Sequence, residues 1–216
     1  MNYVIFGNTS FSLMIAEMIK KENIHTVLAF TIDDEYINSS TIGQYNLIPF
    51  SKLDEVFNKE VFFIINTVGY SKMGFLKAKI QDRLNELGYN SSGWISKHSL
   101  IYSDHVDRDN LILPGAFIGP NVVMDKYNVV YSGANLTHDI SIGNFNFIAA
   151  GTTIGGNIKI GDNCFLGLNC TLKNGIKLGN RVLIGAAAYV DKNLENESVL
   201  VPSKSSLLDK ISLDLL

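Results

Sequence analysis

Between Ile112 and Val190 every sixth residue is aliphatic or Met. The series runs Ile112, Ile118, Met124, Val130, Leu136, Ile142, Ile148, Ile154, Ile160, Leu166, Leu172, Leu178, Ile184, Val190, and stepping backwards adds Val106 and Leu100. About half of the residues in an ordinary chain are apolar, so chance does not generate such a run. A helix repeats every 3.6 residues and a strand every two, so neither explains a strict six. The position after the aliphatic is often Gly, as at Gly119, Gly143, Gly155, Gly161 and Gly167. Four places after it stands a small or β-branched residue such as Ala116, Ala134, Thr152, Cys164 or Cys170. This is the pattern of a parallel β-helix. One aliphatic per short strand points into a narrow prism, and Gly or Asn takes the turn conformations at the corners. Three hexads make one triangular coil, so the stretch holds about five coils.

The chain ahead of the repeat alternates between strand and helix patterns. Asn2 to Phe6 reads as a buried strand, Gly7 to Ser10 as a turn, and the next twelve residues as a helix with Ser10 or Ser12 as N-cap. Further strands are predicted at Thr26 to Thr31 and Glu60 to Val68. Helices are predicted at 51–57 and from Lys72 to Leu87, and a last short strand over 91–96 leads into the repeat. The expected architecture is a small Rossmann-like, parallel α/β domain over 1–98, followed by an all-β helix over 99–216 with a C-terminal tail. Ligands of such sheets gather at the carboxyl ends of the strands. That edge collects Gly7, Thr9, Ser10, Phe11, Asp33, Asp34 and Gly69 as candidate substrate contacts. The first loop could offer N–H groups to a phosphate, but G-x-G-x-x-G is absent and an ordinary βα turn stays open as a reading. Asp33-Asp34 reads equally as a solvated turn or as a binder of sugar or base donors.

A net charge of −3 over 216 residues gives no electrostatic support for nucleic acid or an anionic membrane as partner. No apolar run reaches the roughly 18 residues of a membrane span. The first residues, MNYVIFGNTS, lack the features of a signal peptide, so a cytoplasmic protein is expected. Cys164 and Cys170 occupy equivalent repeat positions and read as core residues, outside any disulfide or metal site. Among the four histidines, His25 reads as exposed, and His98 and His105 as surface or packing residues. His138 falls in the turn part of its hexad, two places after the inward Leu136, and is followed by Asp139.

The segment from Ile140 to Val190 resembles the left-handed β-helix of hexapeptide-repeat acyltransferases, and the left hand is what the resemblance implies. With the α/β unit in front, nearly the whole chain is similar to sugar-nucleotide N-acetyltransferases of the PglD and NeuD type. The match is strong over 110–192 and loose over 1–100. The resemblance implies transfer of an acetyl group from acetyl-CoA to the amine of a nucleotide-linked sugar, for surface glycan (O-antigen or capsule) biosynthesis. It also implies no metal, and a homotrimer with active sites between subunits. His138 matches the family's general base and Asp139 its acidic partner. Gly156 matches the position that binds the acetyl carbonyl, and Leu168 and Ala186 match the pantetheine track. In the closing segment Pro202 and Lys204 match, while Leu200 replaces a Gly. Three departures stand out. The first loop has Asn8 to Phe11 where the family is richer in Gly and carries a His. Gly74 and Lys77 replace an Asn and an Arg. Asn146-Phe147 stands where a second His contacts CoA, and both residues are kept as candidate cofactor contacts. Two other readings remain: an O-acetyltransferase acting on a sugar hydroxyl or a small amino acid, and a non-catalytic β-helix binding module. A zinc enzyme of the γ-carbonic anhydrase type needs three His ligands, and the repeat holds only His138.

Overall fold

The computed structural model describes residues 1–205. The end of the expected C-terminal tail, 206–216, lies outside the described residues. The α/β unit is a five-stranded sheet in the order β3-β4-β2-β1-β5. Its strands are β1 (Asn2–Phe6), β2 (Thr26–Ile32), β3 (Thr41–Ile42), β4 (Tyr45–Pro49) and β5 (Phe63–Asn66). The helices are α1 (Ser10–Glu22), α2 (Leu53–Val56) and α3 (Phe75–Glu86). β1 runs parallel to β2 and β5, and β4 runs parallel to β2.

The sequence reading has no counterpart for β3 and β4. They form a short antiparallel hairpin at the sheet edge, where Pro49 is tolerated as the last residue of β4. The N-cap of α1 is Thr9, in place of Ser10 or Ser12: Ser12 N donates to Thr9 Oγ1 and Thr9 N to Ser12 Oγ, both at 3.3 Å. Helix α3 starts at Phe75, three residues later than predicted, because Lys72, Met73 and Gly74 all have positive φ (50°, 55° and 73°). Such values are incompatible with a right-handed helix.

The repeat folds as expected into a three-faced prism. The first face has seven strands from Trp94–Ile95 to Val199–Leu200, the second six from Leu100–Ile101 to Tyr189–Val190, and the third four from Val123–Met124 to Lys177–Leu178. Strands stack in parallel with an offset of eighteen residues, as in Phe147↔Phe165 and Asn135↔Thr153. The sixth-residue aliphatics and the small residues between them form one buried column from Ile112 to Val190. Leu100 does not belong to it. The first coil is one residue short, pairing Leu100 with Phe117 and Ile101 with Ile118. Ile101 therefore turns inward, and Leu100 is 56% exposed. Side chains that face the backbone of the next coil close the corners. Buried Asn110, Asn128 and Asn146 form an eighteen-residue ladder in which Asn146 N donates to Asn128 Oδ1 and Cys164 N to Asn146 Oδ1, both at 2.7 Å.

Cys164 and Cys170 are fully buried in the column, and burial pushes both thiols up to about 11. Thiols react as thiolates. Neither should be modified by a thiol reagent in the native protein at pH 8, and both should react within minutes in denaturant. Rapid native labelling of either would contradict this packing.

The α/β unit docks on the first face. Trp94, Leu111, Leu113 and Val129 share one core with Ile5, Ile15, Phe30 and Ile65. Phe11 stacks on Tyr131 with ring centroids 5.8 Å apart. Buried Glu22, the last residue of α1, accepts hydrogen bonds from Ser96 Oγ and Lys97 N. Among the described residues no helix is long and apolar enough to cross a membrane.

Candidate active site

His138 and Asp139 form the turn between the strands Asn135–Leu136 and Ile140–Ile142, at the corner where the second and third faces meet. Adjacent strand residues face opposite ways, so a direct contact needs a turn conformation. Asp139 supplies it with φ 53°. His138 Nδ1 lies 2.7 Å from Asp139 Oδ2, so Nδ1 carries the proton and Nε2 is the free basic nitrogen. Asn121 Nδ2 donates to Asp139 Oδ1 at 3.0 Å, fixing the carboxylate from the coil below. The hydrogen bonds from His138 and Asn121 hold the Asp139 carboxyl below the usual carboxylate range. The Asp139 carboxylate is therefore ionised at neutral pH. Its contribution to stability is present above the unfolded Asp value and is lost as pH falls through the lower folded one. Both side chains are about half exposed, so the pair lies on an open corner.

Gly156 is the residue one coil above His138, and it is where the sequence pointed for the acetyl carbonyl. A Cβ built there would lie 2.3 Å from His138 Cε1 and 2.5 Å from Nε2. Glycine here leaves room for the imidazole. Its N–H already donates to Asn174 Oδ1 at 3.0 Å, and the N–H of Gly155 donates to Leu172 O at 3.0 Å. Both N–H groups are therefore already spent on the coil above.

The other expected cofactor contacts lie elsewhere. Leu168 and Ala186 are exposed in turns at the corner between the first and second faces, across the second face from His138. Asn146 is 1% exposed and belongs to the Asn ladder, so its side chain cannot serve as an open CoA contact. Phe147 faces outward from the first face but lies beneath the α/β unit, stacked on Phe165 with centroids 5.3 Å apart. Within one chain the fold brings together His138, Asp139 and Gly156, and it keeps Leu168, Ala186, Asn146 and Phe147 apart from them.

At the carboxyl edge of the sheet a cavity of about 560 Å³ opens, within the usual range for small-molecule sites. Gly7, Thr9, Asp33 and Gly69 line it as expected. Gly7 has φ 138°, and a Cβ there would meet Thr67 Oγ1 at 2.6 Å, so the turn accepts only glycine. Thr9 spends its hydroxyl on the helix cap. Asp34 is directed away from the cavity: Ser51 donates to both of its carboxylate oxygens, through the hydroxyl at 2.5 Å and the amide at 3.1 Å. Those bonds hold its carboxyl below the usual range. Ser10 is exposed on α1 and does not line the cavity, and Phe11 faces the junction with the prism. The sequence reading missed the cationic wall made by Lys79 and Arg83 of α3. The i, i+4 spacing of these two cations on a predicted helix was the available signal. Arg83 Nη2 lies 2.6 Å from Asp33 Oδ1, and its guanidinium stacks over Phe50 at 4.9 Å, leaving Nε without a partner. Asp33 and Glu35 line the same cavity, so its two cations face two acids, and Lys79 is the cation beside the βα turn that makes no ion pair among the described residues.

Two family profiles match the repeat: "Bacterial transferase hexapeptide (six repeats)" over residues 139–174, and "Hexapeptide repeat of succinyl-transferase" over 157–192. No curated protein matches the sequence. Solved structures match nearly the whole chain. The acetyltransferase domain of PglB from Neisseria gonorrhoeae superposes with a TM-score of 0.80 at 18% identity, over 93% of this chain and 96% of that one. A point mutant of GDP-perosamine N-acetyltransferase from Caulobacter crescentus, in complex with CoA and GDP-perosamine, gives 0.81 at 16% identity, covering 94% of each chain. WeeI from Acinetobacter baumannii gives 0.67 at 17%, over 94% of this chain and 97% of that one. At these identities the likeness is one of fold, an α/β unit followed by a left-handed β-helix, and residues 139–192 match the hexapeptide repeat of bacterial transferases.

Proposed function

We propose that this hexapeptide-repeat chain is an acetyl-CoA-dependent N-acetyltransferase whose acceptor is a nucleotide-linked amino sugar used in surface glycan synthesis. The observation that carries the reading is the His138–Asp139 pair, held on an open prism corner with Gly156 clearing space around Nε2. An amine attacks a thioester only as the free base. His138 Nε2 accepts the proton that the amine loses as its nitrogen bonds to the acetyl carbon. Asp139 holds the imidazole in the required tautomer and supports the imidazolium that results. The tetrahedral intermediate collapses with cleavage of the C–S bond, and the CoA thiolate leaves and takes a proton. No covalent enzyme intermediate is required. The cavity of Gly7, Lys79 and Arg83 holds the nucleoside diphosphate of the acceptor. GDP-perosamine bound by the neighbour of like fold supports this class of acceptor. CoA or acetyl-CoA bound by two of the neighbours supports the donor. A cytoplasmic location follows from the use of acetyl-CoA.

The geometry also bears on assembly. The α/β unit covers the first face, and His138 stands at the corner opposite that face. A nucleotide sugar held at the sheet edge is therefore on the wrong side of its own prism. A homotrimer with three-fold symmetry removes the conflict by presenting the His138 corner of one copy to the first face of the next. Leu168 and Ala186 then flank the same cleft and fit the pantetheine arm of CoA. In the direct test, thiol release from acetyl-CoA is followed with a panel of UDP-, dTDP- and GDP-linked amino sugars. Release that depends on one such amine is expected. Absence of CoA binding by calorimetry would sink the proposal.

A further inference from the structure

A second cavity, of about 220 Å³, lies between the α/β unit and the first face of the prism. It shares Val68 and Gly69 with the nucleotide cavity, so the two adjoin along that segment. Below the usual range of about 300–1,000 Å³ for an enclosed ligand, it suits one ring of a larger molecule. Phe11, Tyr70, Tyr131 and Phe147 give it aromatic walls, and such walls stack against a sugar face. One of its polar lining residues is a buried donor without an acceptor. Lys77 is 6% exposed, and its Nζ makes no hydrogen bond or ion pair among the described residues. Asp109 shares a water-sized gap with Lys77; its Oδ2 pairs with Lys126 at 3.2 Å, and its buried Oδ1 has no partner among the described residues. Burial lowers the Lys77 ammonium to about 8, so it still carries its charge at neutral pH. A buried charge is tolerated when something pairs with it.

We infer that this cavity is the sugar subsite of the acceptor, and that Lys77 selects an amino sugar bearing a carboxylate on its ring. The inference rests on the acetyltransferase reading above and adds the identity of the acceptor class. A carboxylate accepts from the ammonium and neutralises Lys77, while the ring stacks on the aromatic wall. A methyl or hydroxymethyl group in its place leaves the ammonium unpaired. Lys77 acts here as a specificity residue, with no part in proton transfer.

The test is calorimetry on the full chain with matched pairs of nucleotide-linked amino sugars, in UDP, dTDP and GDP forms. One member of each pair carries a carboxylate on C5 and the other a methyl. At pH 7 the carboxylated member should bind at least about tenfold more tightly, in line with a charge-assisted hydrogen bond. Lys77→Met keeps the buried stem without its charge, and should reduce that preference to within about twofold. It should leave the affinity for the bare nucleoside diphosphate unchanged. Equal or tighter binding of the methyl member by the native chain, or a preference that survives Lys77→Met, would overturn the inference. So would binding of the nucleoside diphosphate with no added affinity from either sugar. Failure to bind any nucleoside diphosphate would instead remove the reading on which the inference rests, and the inference with it.

Discussion

Replacing His138 by Ala should lower kcat at least about 100-fold, in line with the 10²–10⁴-fold contribution of a positioned general base. The side chain is half exposed and outside both cores, so the thermal midpoint should move little. Among the described residues the side chain's only hydrogen bond is to Asp139, and that carboxylate keeps Asn121 as a partner in the variant. Acetyl-CoA affinity should be retained, because the loss falls on the proton transfer and not on binding. The residual rate should rise with pH, as hydroxide and the free amine take over from the imidazole. The check is kcat by thiol release, alongside a melting curve. A variant that keeps more than about a tenth of the native rate would remove His138 from the mechanism.

Replacing Gly156 by Ala should be nearly as damaging, without touching any reacting group. Its added methyl would lie 2.3 to 2.9 Å from three atoms of the imidazole. The backbone at Gly156 has no positive φ, so alanine is conformationally acceptable there. The ring is the free end of a side chain and moves aside at little cost in stability. The expected result is a midpoint shift of only a few degrees, from a change within about 1 kcal/mol. The loss in kcat should approach 100-fold, because displacement of a reacting group by about 1 Å is worth that much. Activity within threefold of native would mean that Gly156 does not set the position of His138. Destabilisation by several kcal/mol would mean that the glycine serves the coil and not the site.

The prism was legible because a single physical requirement recurs in every coil. Each strand must send one aliphatic side chain inward, so the period appears directly in the residues from Ile112 to Val190. The His138–Asp139 turn was legible for the same reason, since the period assigns both residues to a corner. Features that depend on two distant segments were not legible. The hairpin of β3 and β4 comprises seven residues ending in Pro49 and carries little strand signal. The register at Leu100 depends on a one-residue shortening of the first coil, which no local pattern records. Asn146 looked like a surface replacement for a histidine. Its ladder with Asn110 and Asn128 becomes visible only at a period of eighteen, once the coils are stacked. Lys77 stood out only as a replacement for a family Arg; its burial depends on residues distant in sequence, which line the same cavity. At the sheet-edge cavity the sequence pointed to four of the lining residues. It placed charge on Asp33 and Asp34; Asp33 lines the cavity, Asp34 is turned toward Ser51, and Lys79 and Arg83 add two cations that the reading did not include.

The central claim is that the acceptor held by one chain meets His138 of another, and complementation within mixed trimers tests it most directly. His138→Ala chains keep a sound nucleotide cavity. Chains with Asp33→Ala and Arg83→Ala keep a sound His138. Each homotrimer alone should be nearly inactive. Unfolded together and refolded as a mixture, they should regain about a quarter of the native activity, the share of sites that random assembly equips with both parts. Recovery absent from mixtures verified as heterotrimers by mass spectrometry would contradict the account, since it would mean that each chain works only on the sugar that it holds itself.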